Sequence, residues 1–446
     1  MKHSMFQTVI IGVFVVLAVG GAIYFANPPE DKSSELAGAV GKVTIWGTYP
    51  LTPDLTKFFA DFNQRYSKAF SVEYRAFDPR TFDRDIVEGL ASGMGPDILL
   101  LPDDLILRHS DKILPMSYTP QFGQREFLNT FVQAAEIYLH PNGIVAFPYA
   151  IDPMVMYWNR DIFTNASIPE PPKYWDDFKL LAPRLTKTDR AQKVVQSALP
   201  FGEFSNVKNA KSILSMLFLQ TGSPIVYMSG DRPTVLLTKF ADKQKNPAIP
   251  MVLQFFMDFS NPRKTVYTWS LSRQNSEDEF LSGNLAVYFD YASNYQRLKL
   301  KNPNLNFDVA MVPQFRDPET GTVKRETTVA RLHGLAVMKS SKNQTTAFIA
   351  IRTLLNPENA ERFAQVFDLP PVRRDLLANR PADAVKAVAY DSALRGKTWL
   401  DPRPEESDKA FRDMVEAMSS DRMTADNAAE FLNSRLVDLV TPYVPQ

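Results

Sequence analysis

Two spacings of apolar residues alternate along the chain from Lys42 onward. Val43-Thr44-Ile45-Trp46 has the length and β-branched content of a short strand, closed by Gly47 and Pro50. Thr52 is placed to cap a helix with Pro53 at its first position, and Leu55, Phe58, Phe59, Phe62 and Tyr66 then fall at helical spacing. Phe70 to Phe77 alternates as a second strand, and Thr81 opens a second helix with Phe82, Ile86 and Leu90 on one face. Gly95-Pro96 stops that helix, and Asp97 leads into Ile98-Leu99-Leu100-Leu101, an apolar run suited to a strand buried on both faces. The order strand, helix, strand, helix, strand predicts right-handed crossovers and a parallel sheet, with a binding crevice beyond the carboxyl ends of the strands. Those ends are Trp46-Gly47-Thr48-Tyr49 and Pro102-Asp103-Asp104, which bring an aromatic ring, hydroxyls and carboxylates to a place where a polar small molecule docks.

Further on, Pro169 to Lys173 is a proline-rich turn before a helix near Trp175, Leu285 to Phe289 is a strand following Gly283, and Asn356-Pro357-Glu358 opens a helix running to Phe367. At 446 residues the chain is too long for one ordinary core and suits two lobes; 45% of its residues are hydrophobic and 22% charged, a globular balance. Lys plus Arg equals Asp plus Glu at 50 each, which leaves no global field to draw the chain onto nucleic acid or anionic lipid. The absence of cysteine excludes disulfides, thiolate metal sites, a catalytic thiol and a lipid-modified cysteine anchor.

Met5 to Ala26 carries no charge and has about the 20-residue length of a transmembrane helix. Lys2 and His3 precede it and Glu30 and Asp31 follow, so the positive-inside rule places the bulk of the chain outside. Residues 1–26 are therefore read as a single-pass anchor in the cell membrane, and 27–40 as a flexible tether with a reach of roughly 20 Å. The competing reading is a cleaved signal peptide, with Gly20 and Ala22 near the cut and a secreted or periplasmic product.

The order of motifs resembles the family 1 extracellular solute-binding proteins, the maltose-binding-like receptors of ABC importers. The resemblance runs from Val43 to about Asp375 and rests on the opening strand with LTKFFADFNQRY, on GLASGMGPDILLLP, and on GIVAFPYAIDPMVMYWNRDIF at Gly143 to Phe163. It continues through PPKYWDDFKLLAPRLT, FLSGNLAVYFDY, NFDVAMVPQ, HGLAVMKSSKNQTTAFIAIRTLLNPENAERFAQ and the late turn Pro370-Pro371-Val372-Arg373. It implies an α/β, two-lobed periplasmic-binding-protein-like fold of type II behind the amino-terminal helix, with lobe 1 at 41–152 and 309–350 and lobe 2 at 153–308 and 351–446. It also implies a monomer that takes a sugar or related polar solute between the lobes and delivers it to ABC permease subunits. Where many members carry a sugar-stacking tryptophan, this chain has Ser293, flanked by Tyr291 and Tyr295, and Tyr174 replaces the helix-opening threonine before Trp175.

Candidate ligand groups follow from these positions. Trp46 reads either as a stacking platform or as a core residue capping the sheet, and Thr48 supplies a hydroxyl beside it. Tyr149 and Asp152 lie in the lobe crossing, as ligand or hinge groups. Asp290 and Tyr291 follow a strand; Trp269 sits in a loop-like segment as a lid or a packed anchor; Arg331 and His333 precede the closing strand. Tyr157 and Trp158 read as core, and Glu277-Asp278-Glu279 as a solvated helix face. Only four histidines are present, with no HExxH pair, Walker loop or serine elbow, so the sequence predicts no enzyme, no cofactor and no metal. Two other classes remain open: a surface-anchored glycan hydrolase, which requires carboxylates opposed across a cleft, and a tethered adhesion module.

Overall fold

A computed structural model describes residues 38–444 except 121, 240–243, 318 and 324. The predicted span Met5 to Ala26 lies outside the described residues, and no helix among the described residues is long and apolar enough to cross a membrane.

The amino-terminal half forms as its periodicity dictates. Strand β1 (Gly41–Gly47) is followed by helix α1 (Pro53–Tyr66), where Thr52 Oγ1 accepts from the Leu55 amide at 3.2 Å and Leu55, Phe58, Phe59 and Phe62 are buried. Strand β2 (Phe70–Ala76) pairs parallel to β1 from Gly41↔Phe70 to Gly47↔Ala76. Helix α2 (Phe82–Ala91) leads to β3 (Ile98–Pro102), parallel to β1 on its other side and almost wholly buried. Thr81 Oγ1 donates to Asp85 Oδ2 at 2.7 Å and makes no cap bond to the backbone.

The 13-residue strand β4 (Phe147–Asn159) joins the two halves of the molecule. Its first part pairs antiparallel with the long strand β9 (Thr328–Val337), from Phe147↔Leu335 to Pro153↔Ala330. Its second part pairs with β7 (Val287–Tyr291), from Met154↔Tyr291 to Trp158↔Val287, and on its other edge with β8 (Phe307–Ala310). The central sheet therefore runs β7-β4-β9-β3-β1-β2, and one strand belongs to both lobes. The short strand β10 (Gly396–Lys397) pairs with the start of β9. The second lobe is filled out by helix α3 (Ala210–Gln220), the hairpin β5 (Ile225–Ser229) and β6 (Arg232–Leu236), and the closing helices α7 (Pro404–Ser419) and α8 (Ala425–Val440).

Strand pairing and helix packing cross the expected lobe boundaries at two places. Val309 and Ala310 pair with Tyr157 and Met156, and the chain rejoins the first part of β4 with β9. Helices α4 (Gln344–Leu354) and α5 (Pro357–Val366) both pack on the first lobe: Phe363 meets Phe58 at 5.8 Å, and Arg362 Nη2 bonds Asp61 Oδ2 at 2.7 Å. Helix α6 (Ala384–Leu394) packs on β4 and β8, and beyond it the Leu400 amide bonds Val226 O at 3.3 Å. The aromatic positions of α1 demand a partner, and α5 supplies it.

Glu277 and Glu279 are buried, and only Asp278 of that acidic run faces water. Glu277 holds Arg297 through paired bonds of 2.6 and 2.8 Å, Lys301 at 2.6 Å and Lys208. Those cations, Arg297 first, hold its carboxyl well below the usual range.

Candidate functional site

The carboxyl ends of β1 and β3, the middle of β4 and the start of β9 converge where the two lobes meet. Thr48 and Tyr49 are half-buried at the end of β1. The Tyr49 ring lies 5.0 Å from His333 and 4.3 Å from Phe367, its hydroxyl is 3.4 Å from His333 Nδ1, and burial raises its pKa. Burial and the neighbouring Arg331 push the His333 imidazole down to about 4, so it is neutral at physiological pH.

Arg331 and Asp152 are register partners across β9 and β4. The Asp152 carboxylate accepts from the Ser293 amide at 3.0 Å and the Ser293 hydroxyl at 2.6 Å; burial nevertheless pushes it up to about 6, with those bonds opposing. Arg331 lies over the Tyr291 ring at 3.7 Å, and the Tyr291 hydroxyl donates to Ser212 Oγ at 2.9 Å on α3. Arg331 and Ser293 keep open surface although protein surrounds Arg331 on most sides, as in a concave site.

The turn after β3 adds two adjacent carboxylates. Asp103 is buried, with one oxygen accepting from the Leu332 amide at 3.1 Å and the other from Thr398 Oγ1. Asp104 is half-buried and within Coulombic reach of Lys211, Arg331 and Asp401. Burial raises both, and each carboxylate has another beside it that adds to the rise: Asp104 for Asp103, Asp401 for Asp104. Across from them, Lys211 Nζ donates to Ser407 Oγ at 2.6 Å, pairs with Asp401, and lies 5.5 Å from the Trp399 ring centroid. An open concavity of about 610 Å³ continues along the second lobe past Phe204, Ser205, Lys211, Ser212, Asp408 and Arg412.

The structure thus brings Asp152, Tyr291, Arg331 and His333 together, and leaves Thr48 half-buried at the end of β1. It corrects the others. Trp46 is 6% exposed and lies between α2 and Phe77, with ring centroids 4.5 Å apart; it caps the sheet and does not reach the cleft. Trp269 is fully buried with its indole N–H donating to Asn206 Oδ1 at 3.0 Å, an interior anchor and not a lid. Asp290 is fully buried, accepting from the Tyr288 hydroxyl at 2.7 Å, the Asn209 amide at 2.8 Å and the Tyr291 amide at 2.9 Å. Tyr149 is buried against Phe363 at 4.0 Å. Lys211, Ser212, Thr398 and Asp401 were missed: nothing local marks them, and the Lys211 and Asp401 positions stand 190 residues apart in sequence.

Residues 57–390 match the family model described as bacterial extracellular solute-binding protein. The chain belongs to that family. Among these extracellular solute-binding proteins it is 21% identical over 426 residues to the galactooligosaccharide-binding protein of Bacillus subtilis (strain 168), covering 93% of this chain and 94% of that one. Its fold matches a cyclic alpha-maltosyl-1,6-maltose binding protein from Arthrobacter globiformis with a TM-score of 0.70 at 14% identity, covering 91% of this chain and 100% of that one. It matches the sugar-binding protein MalE from the phytopathogen Xanthomonas citri with a TM-score of 0.68 at 18% identity, covering 90% and 98%. At such identities the two structures establish the two-lobed α/β architecture of this solute-binding protein.

Proposed function

We propose that this protein is the extracytoplasmic receptor of an ABC importer, which captures a carbohydrate or related polar solute between its lobes and presents the closed complex to a permease. The observation that carries this reading is the meeting of polar groups from both lobes at the shared strand: Asp152 and Arg331 from the crossing, Ser293 and Tyr291 from the second lobe, Tyr49 and Asp104 from the first. Vicinal hydroxyls suit such groups, with each net hydrogen bond contributing about 0.5–1.5 kcal/mol and each aromatic contact a similar amount beyond burial. Differential affinity for the closed form then shifts the population that docks. The kinship to a galactooligosaccharide-binding protein supports a saccharide as the solute.

The family is one of binding proteins, which supports a non-enzymatic role. Asp103 and Asp152 also have both carboxylate oxygens engaged by protein donors, which disfavours them as the opposed acid and base of a hydrolase. Calorimetry and small-angle scattering across a panel of neutral oligosaccharides and polyols should show binding with compaction and no shortened glycan. No heat and no change of shape with any of them would sink the proposal. Anchoring through Met5 to Ala26 as a monomer is part of the same reading; native mass spectrometry of the full chain in detergent should give one uncut chain, and a truncated mass or a dimer would refute it.

A further inference from the structure

We infer that a second binding site, separate from the solute cleft, lies between β5, β10 and the turn Gln133–Tyr138 and takes a medium-chain carboxylate, its head on Lys397 and its alkyl tail among apolar walls. A cavity of about 240 Å³ occupies this place. Its walls are Ile137 and Leu139 from the first half of the chain, Leu219 near the end of α3, Val226 and Met228 of β5, and Leu400. Backbone pairing holds these segments around it: Lys397 stands opposite Val329 in the ladder of β10 with β9, the turn Gln133–Tyr138 packs on β10, and the Leu400 amide bonds Val226 O at 3.3 Å. Ile137, Leu139 and Met228 stay half-buried, so part of this apolar surface is still open to a ligand. The cavity shares those three side chains and Leu400 with a groove of about 640 Å³ beside it, which gives a tail room to extend.

One charged group in the lining has no counterpart. Lys397 is half-buried, and among the described residues its ammonium makes no hydrogen bond and no ion pair. Burial lowers its pKa and the nearby Arg325 adds to the fall, with Glu136 opposing. Glu136 is exposed at the rim and makes no bond to it, and Thr398 gives its hydroxyl to Asp103. An ammonium withdrawn from water without a counter-charge is unfavourable, and a ligand carboxylate supplies the missing charge. No arginine lines the cavity, so the fork that suits a phosphate is lacking while a single carboxylate is matched. The apolar walls leave the hydroxyls of a saccharide without partners, so cavity and cleft select different chemistry.

The test is calorimetric titration of the full chain in nanodiscs of neutral lipid, with empty discs subtracted, using hexanoate, octanoate and octanamide. Octanoate is expected to bind about fifteenfold tighter than hexanoate, as two further buried methylene groups require, and at least about tenfold tighter than octanamide. Lys397→Met should bring octanoate to the level of octanamide without lowering Tm, because the ammonium it removes has no partner, while Lys187→Met on the exposed surface leaves the preference in place. Ala134→Leu fills the cavity from another wall and should weaken octanoate and octanamide alike. Absence of octanoate binding, equal binding of the amide, a preference that survives Lys397→Met, or undiminished binding to Ala134→Leu overturns the inference.

Discussion

Gly89 on α2 faces Trp46 across the first lobe, and adding a single methyl there tests how tightly the strand end behind the cleft is held. A Cβ on residue 89 would lie 2.4 Å from Trp46 Cη2 and 2.7 Å from Cζ3. Carbon atoms rest about 3.5–4.0 Å apart, so the indole or the helix has to move by roughly 1 Å. The indole has little room, because Phe77 lies 4.5 Å away on ring centroids and β1 is fixed between β2 and β3. Overpacking of this kind costs about 1–3 kcal/mol, while alanine in a helix regains up to about 1 kcal/mol over glycine. The net expectation for Gly89→Ala is a loss of about 1–2 kcal/mol, or a Tm lower by about 2–8 °C for a lobe of this size. Scanning calorimetry of Gly89→Ala, Trp46→Phe and the double variant reads it directly. Phenylalanine lacks the atoms that collide, so the Gly89→Ala penalty should shrink to near zero in the Trp46→Phe background. Thr48 and Tyr49 follow directly on this strand, so solute affinity should fall along with Tm in the single variant. An unchanged Tm for Gly89→Ala, or the same penalty in both backgrounds, would refute the close approach on which this argument stands.

Two further expectations concern charge. Asp152, raised to about 6, contributes stability that is present below its unfolded value near 3.8 and is lost as pH rises through 6, whereas His333, depressed to about 4, contributes stability present above 6.5 and lost as pH falls through 4. Asp152→Asn should therefore steepen the rise of Tm between about pH 4 and about pH 6.5, and His333→Asn should flatten it; a pair of unchanged slopes in a calorimetric pH series would contradict both assignments. Glu277→Gln leaves Arg297, Lys301 and Lys208 without their shared carboxylate, and a loss of about 3–5 kcal/mol in denaturant unfolding is expected, against less than about 0.5 kcal/mol for the exposed Asp278→Asn.

Local chemistry made much of the scaffold legible. Thr52-Pro53 and Asn356-Pro357 start helices where a cap and a first-turn proline require, and Ile98 to Leu101 is buried on both faces as an unbroken apolar run demands. Asp152, Tyr291, Arg331 and His333 lie near one another because a crossing or a strand end puts them there. The same logic failed for Trp46, because helices cover both faces of a parallel sheet and its strands carry no polar side to reveal where a given ring points. Trp269 and Asp290 failed for a related reason: each finds its partners inside the second lobe, through Asn206 and Tyr288, and nothing in the neighbouring residues distinguishes an interior polar contact from an open one. The pairing of Val309 with Tyr157 and the packing of Phe363 on Phe58 are long-range facts that no local pattern carries.

Strand β4 changes partners between Pro153, which stands opposite Ala330, and Met154, which stands opposite Tyr291. Proline has no amide hydrogen to give, so the ladder carries one rung fewer at the point where the lobes diverge. The stretch before that point is laddered to β9 and the stretch after it to β7, so a single backbone carries the sheet from one lobe into the other. Asp152, the immediate neighbour of that proline, therefore stands where the strand passes from one ladder to the other.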